Sequence, residues 1–306
     1  MPETVEILST EFRRIVGQSP RLTEVAAGMK FCEGTCWVPG REILVWSDLP
    51  NDRIMQWSER GGASIFRSPC GNTNGHTVDL QGRILSCETS GRRVSRTEPD
   101  GSVVILADRY RGRRLTSPND VVVKSDGSVW FTDPDYGFLH PELGHGDKPE
   151  QDRNGVYRVE PASGQITRVS GDFDKPNGLA FSPDERILYV GDTGRTHGEF
   201  RNHHLIAFDV AADGRDLGNP RIFAAVDPWV PDGFRVDVDG NVYVSAGDGV
   251  QVFDPAGHML GKIHTPEVAA NCAFGMPDGQ TLFIAATSSV WSIRLNTRGA
   301  TAARHS

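Results

Sequence analysis

The chain has 306 residues, 38% of them hydrophobic, with 34 glycines, 19 prolines and a formal net charge of −8. That length suits one large all-β domain or two ordinary domains. The negative balance, with no basic cluster beyond Arg109-Tyr-Arg111-Gly-Arg113-Arg114, argues against a nucleic-acid partner, and no apolar run reaches the roughly 18 residues that a membrane span needs.

Thr4 to Val16 carries apolar residues at helical spacing (Val5, Leu8, Phe12, Ile15) and predicts a short helix on the side of the main domain. Residues 1–20 read as an N-terminal extension, residues 21–296 as the domain itself, and residues 297–306 as a frayed polar tail. Met1 to Gly17 lacks the basic start and apolar stretch of a secretory signal. The five cysteines, Cys32, Cys36, Cys70, Cys87 and Cys272, are odd in number and show no zinc-finger spacing. They read as buried thiols of a reducing compartment, so a cytoplasmic location is expected.

From Cys32 onward one unit recurs six times: a turn with an oxygen-bearing residue, a short apolar strand, a tight turn and a second apolar strand. Its clearest copy is Lys175-Pro-Asn177-Gly-Leu-Ala-Phe-Ser-Pro-Asp184, followed by Ile187 to Asp192. The equivalent residue runs Glu33, Asn74, Asn119, Asn177, Asp232, Asn271, at spacings of 41, 45, 58, 55 and 39. Repeats of about 40–50 residues with several short strands are the mark of a β-propeller, whose blades stack because none buries both faces alone. The prediction is an all-β, six-bladed β-propeller with a short N-terminal helical extension. Outer strands follow the inner pairs, among them Asp52 to Trp57, Arg92 to Arg96, Asn154 to Val159 and His204 to Asp209. Arg21 to Ala27 is expected to pair with Ser289 to Leu295 and close the ring. The two longest spacings hold insertions, Pro134 to Arg153 and Thr193 to His203. Each leaves the second strand of a hairpin, so both overhang the mouth where the equivalent residues sit. Their polar residues (His140, His145, Asp147, Arg153, Arg195, His197) outnumber Phe138 and Phe200 and favour a polar substrate.

The innermost strand of each blade lines the central channel, so the six equivalent residues form a ring of two carboxylates and four amides. Such groups facing one axis repel or go unsatisfied unless a cation sits among them. Hard cations such as Ca²⁺ take about 6–8 oxygen ligands, and oxygen-only sites also accept Mg²⁺ or Mn²⁺. Asn and Asp also favour the turn before a strand, which accounts for any single member alone. Asp48, Asp133 and Asp192 end equivalent second strands and are expected to cap turns at the mouth.

Glu33-Gly34, Ser117-Pro-Asn119-Asp120, Lys175-Pro-Asn177-Gly-Leu-Ala and Pro231-Asp232-Gly together resemble the senescence-marker-protein/gluconolactonase/luciferin-regenerating-enzyme-like superfamily. Asn74-Gly-His76, Ser86-Cys-Glu88, Trp130-Phe-Thr-Asp133-Pro-Asp-Tyr-Gly and Asn271-Cys-Ala-Phe-Gly look most like its bacterial gluconolactonase branch. The resemblance covers Phe31 to Val290. It implies a six-bladed propeller with a divalent cation, often Ca²⁺, in the channel, and hydrolysis of lactones or related esters. It places the metal ligands on Glu33, Asn119, Asn177 and Asp232. The animal sugar lactonases carry a sugar-gripping Arg two residues before the Asn119 position; here that residue is Ser117.

Lactone hydrolysis needs a polarised carbonyl, an attacking water and a proton acceptor. Asp232 is the expected base, in line with the resemblance; the other reading makes it a ligand alone. His76 follows Asn74 by two residues, so alternation returns it to the channel, to orient water or substrate or to serve the fold. Asn74, Asn119 and Asn271 are expected to bind substrate or to support the cation. The expected partner is a small lactone such as glucono-1,5-lactone, with no nucleic acid and no membrane; monomer and dimer are both compatible. An organophosphate or aryl esterase at the same metal, or a non-catalytic cation-binding propeller, would share the ring.

Overall fold

The period-two pattern of the repeats becomes antiparallel sheet in a computed structural model that describes residues 4–140 and 148–300. Six blades surround one axis, each with four strands of its own. Blade 1 runs outward as Cys32–Val38, Ile43–Asp48, Arg53–Ser58 and Gly62–Arg67. Blade 2 is Thr73–Val78, Ile84–Glu88, Arg93–Thr97 and Val103–Ala107. Blade 3 is Val121–Val123, Val129–Asp133, Gly155–Val159 and Ile166–Ser170. Blade 4 is Pro176–Phe181, Ile187–Asp192, His204–Val210 and Leu217–Ala225. Blade 5 is Phe234–Val236, Val242–Ala246, Gly249–Phe253 and Met259–His264. Blade 6 takes Ala269–Gly275, Thr281–Ala286 and Ser289–Arg294 from the end of the chain and Leu22–Ala27 from its start. That pairing, Leu22 opposite Ile293, closes the ring as expected. Leu217–Ala225 is a strand although Gly218, Asn219 and Pro220 read as turn residues. It forms a sheet edge, where Pro220 need not interrupt a ladder.

A separate apolar cluster fills each of the six blade–blade interfaces. Trp46 and Phe283 join blades 1 and 6, and Val45 and Ile84 join blades 1 and 2. Phe131 and Cys87 join 2 and 3, Trp130 and Leu188 join 3 and 4, Tyr189 and Phe234 join 4 and 5, and Tyr243 and Leu282 join 5 and 6. The core is thus a ring of sheet-on-sheet contacts around a channel, the packing that makes every blade depend on its neighbours. All five cysteines are buried and unpaired.

The N-terminal segment differs from the expected single helix. Val5–Ile7 alternates with Glu6 outward and adds a fifth strand to blade 5, Val5 opposite Ile263. The helix is only Thr10–Val16, capped by Ser9, whose Oγ accepts from the Phe12 N–H at 3.0 Å. Phe12 is fully buried against Gly261. The polar tail is not frayed over its described part. The Val238 N–H donates to the Arg298 carbonyl at 3.0 Å and the Ala300 N–H to the Val236 carbonyl at 2.9 Å. Residues 301–306 lie outside the described residues, as do Glu142, His145 and Asp147 of the first insertion. Among the described residues no helix is long and apolar enough to cross a membrane.

Candidate active site

Three devices fix the ring. In the first, a carboxylate ending a second strand binds the chain entering the first strand. Asp48 accepts from the backbone N–H of Lys30 and Phe31 at 2.9 and 3.4 Å. Asp133 accepts from Thr116 and Ser117, at 2.9 and 2.8 Å, and Asp192 from Asp174 and Lys175, at 3.0 and 2.9 Å. The bound residues always sit three and two positions before the ring residue. These aspartates cap turns, and the turns they cap are the ones that aim Glu33, Asn119 and Asn177.

In the second device, a hydroxyl on one blade reaches the next. Ser47 Oγ donates to the Asn74 carbonyl at 2.9 Å, Thr132 Oγ1 to the Asn177 carbonyl at 2.7 Å, and Ser245 Oγ to the Ala270 carbonyl at 2.8 Å. The third is glycine after the ring residue, at Gly34, Gly75, Gly178 and Gly233. A Cβ on Gly34 would lie 1.9 Å from the Asn74 carbonyl oxygen, and Gly34 has φ +61°. The blades meet at backbone contact on the axis only because no side chain intervenes.

These devices bring Glu33, Asn177, Asp232 and Asn271 together. Glu33 is 3% exposed. Its Oε2 accepts from the Gly34 N–H at 2.7 Å and from Asn271 Nδ2 at 3.1 Å. Burial, and then the charge of Asp232, raise its pKa well above the ordinary carboxylate range. Asp232 is only partly buried. Burial raises its pKa to about 7; a hydrogen bond from Asn177 opposes the rise and the charge of Asp120 adds to it. Asn119, 5% exposed, makes no side-chain hydrogen bond with the described residues. Two carboxylates that repel across the axis, beside the amides of Asn119 and Asn177, are the donor set a hard cation satisfies. Among the described residues no three His, Cys, Asp or Glu side chains form a metal group, so a cation here would need oxygen ligands beyond the two carboxylates.

His76 stands apart from this group. It is fully buried, with Nε2 2.8 Å from Ser47 Oγ and Nδ1 2.8 Å from Ser86 Oγ. Burial, with Arg67 adding, lowers its pKa to about 3, so it stays neutral. Both ring nitrogens are spent between blades 1 and 2, the placement that fits the second of its two expected roles, service to the fold. The alternation fails because the pairing shifts register between Thr73 and His76, a bulge that turns later side chains to the other face. His76→Ala is expected to lower stability by about 1–3 kcal/mol, because two buried hydroxyls lose a partner, and to leave KM unchanged. Thermal unfolding and steady-state kinetics on the same variant check both halves.

Two groups that sequence reasoning passed over lie against the ring. Asp120 occupies, in blade 3, the position that is glycine in four other blades. It is buried, 3.5 Å from Arg235, which also donates to the Phe234 carbonyl at 2.8 Å. Asp120's departure from the glycine pattern was the available signal.

The mouth is walled by the insertions. Tyr136 Oη lies 2.5 Å from Thr193 Oγ1 and its ring 5.7 Å from that of His197. The His197 and His140 rings are 6.0 Å apart. Lys175 Nζ pairs with Asp135 at 3.0 Å and Asp174 at 3.4 Å. Ser117 is buried and donates to the Pro134 carbonyl at 2.6 Å while accepting from the Gly137 N–H at 2.9 Å. It seats the turn that presents Tyr136, a task no arginine could perform there.

A family profile described as the SMP-30/Gluconolactonase/LRE-like region matches residues 31–288. The chain belongs to this family. A gluconolactonase of Zymomonas mobilis is 33% identical over 93% of this chain and 84% of its own length. The solved structure of a gluconolactonase from Xanthomonas campestris superposes with a TM-score of 0.90 at 38% identity, covering 96% of this chain and 95% of the other. A pentonolactonase of Haloferax volcanii is 26% identical over 82% of this chain and 80% of its own. The SMP-30/gluconolactonase-like blades therefore span nearly all of the propeller described above, and both insertions fall inside the matched region.

Proposed function

We propose that this protein hydrolyses a sugar lactone, such as glucono-1,5-lactone, to the free aldonic acid, with a divalent cation at the ring. The observation that carries this is the pairing of a buried Glu33 with a partly open Asp232 beneath a polar mouth. The gluconolactonases and the pentonolactonase among its relatives support the sugar-lactone class.

In this reading Asp232 is the general base. It takes a proton from water as the water oxygen adds to the lactone carbonyl. Collapse of the tetrahedral adduct breaks the ring C–O bond. The proton on Asp232 then passes to the departing alkoxide, which becomes a hydroxyl of the open-chain acid. Glu33, Asn119 and Asn177, with Asp232, would hold the cation, Ca²⁺ by preference and Mg²⁺ or Mn²⁺ otherwise. When bound, the cation would polarise the carbonyl and neutralise the facing carboxylates. Asn271 holds Glu33 in place through its amide, and Asn74 and Asn119 remain the candidates for substrate hydrogen bonds. Lys175 with Asp135 and the Tyr136–His197 wall offers donors and acceptors to hydroxyl groups.

A pH-stat panel of glucono-1,5-lactone, δ-valerolactone, phenyl acetate and a phosphotriester tests the reading. Fastest turnover is expected on the sugar lactone. Preference for the aryl ester or the phosphotriester would replace it with the esterase alternative, and no turnover on any of the four would favour a cation-binding propeller.

A further inference from the structure

The backbone of the loop leading to Asp232 is held by hydrogen bonds on both sides of Trp229. The Val226 N–H donates to the His203 carbonyl at 3.0 Å and the Gly247 N–H to the Pro228 carbonyl at 2.9 Å. Gln251 Nε2 donates to the Asp227 carbonyl at 2.8 Å, and the Asp227 carboxylate pairs with Arg195 at 2.9 Å. Val226 and Val230 are buried on either side. Between them Trp229 is 49% exposed, and its backbone has φ +79°. A bulky residue rarely adopts that conformation, and such positions are enriched at functional sites. An indole left in water on a fixed loop contributes little to folding.

Its place says what it can do. Trp229 stands three residues before Asp232, the position Lys30, Thr116 and Asp174 hold before their own ring residues at the mouth. Three residues span at most about 10 Å, so the Trp229 backbone lies within that distance of Asp232. Arg195, which pairs with Asp227 two residues before Trp229, belongs to the same insertion as His197, so the loop that carries Trp229 is tied to the insertion that walls the mouth. One face of a sugar lactone presents C–H groups made electropositive by neighbouring oxygens. The negative face of an indole complements them, and tryptophan has the largest such face.

We propose that Trp229 is the stacking platform for the C–H face of the sugar lactone and a specificity-determining residue of the site. This rests on the sugar-lactone reading above. Trp229→Ala is expected to raise KM for glucono-1,5-lactone about tenfold while kcat stays within about twofold. Trp229→Phe keeps a ring and is expected to hold KM within about threefold of wild type. Gluconate, the product, is expected to change tryptophan emission in the wild type and not in Trp229→Phe. An unchanged KM in Trp229→Ala, a loss confined to kcat, or a phenylalanine variant no better than alanine would overturn the platform. Absence of sugar-lactone turnover in the wild type overturns the proposed function instead. In that event a gluconate response present in wild type and lost in Trp229→Phe still assigns Trp229 to a sugar-acid site, and its absence overturns the platform too.

Discussion

Asp232→Asn is expected to lower kcat/KM for glucono-1,5-lactone by about 10³-fold, within the range a positioned general base supplies. The amide keeps the shape of the carboxylate, so the ring and its glycine contacts survive. It cannot accept the proton from water. Asp232 is partly open where Glu33 is closed, and the water must come from the open side. If Asp232 were a ligand alone, the loss would appear as weakened cation affinity and excess cation would restore turnover. A base leaves the variant inactive at saturating cation. Burial sets the Asp232 pKa near 7 in the cation-free protein, and a cation lowers it, so the acid limb of the pH–rate profile is expected below about pH 7.

Removal of the cation is expected to abolish turnover and to make stability fall as pH rises. Without a cation, Asp232 titrates near 7 and Glu33 well above its ordinary range. The unfolded carboxylates titrate near 4. Between about pH 4 and pH 7 the native state therefore binds more protons than the unfolded chain, and stability declines through that window. The Asp232 contribution is fully present below the unfolded pKa and lost by the time the folded pKa is passed. A cation substitutes for those protons, so its stabilising effect is expected to be larger at pH 8 than at pH 5. Thermal melts with and without Ca²⁺ at the two pH values measure this. An equal shift at both would remove the carboxylates from the cation site.

The repeat was legible because a propeller writes the same position six times, and four of its six marked residues, Glu33, Asn177, Asp232 and Asn271, meet in the fold. The closing pair, Leu22–Ala27 with Ser289–Arg294, was legible from alternation at the two ends of the chain. What sequence could not carry was anything that depends on local irregularity or on contacts between blades. A three-residue strand such as Val5–Ile7 is too short to outweigh helical spacing. The bulge before His76 reversed its side, and nothing in Asn74-Gly-His76 announces a bulge. Asp120 and Arg235 meet across 115 positions of chain, a partnership visible only once the blades are stacked. Ser117 looked like the loss of a sugar-binding arginine. Its two hydrogen bonds instead build the turn that carries Tyr136.

The most direct measurement is a calorimetric titration of Ca²⁺ into chelator-treated protein at pH 8, with lactone hydrolysis followed on the same samples. The expected result is one ion bound per chain and turnover that rises in step with occupancy from a baseline near zero. Full turnover on glucono-1,5-lactone before any ion is added would contradict the cation-dependent ring on which this account stands.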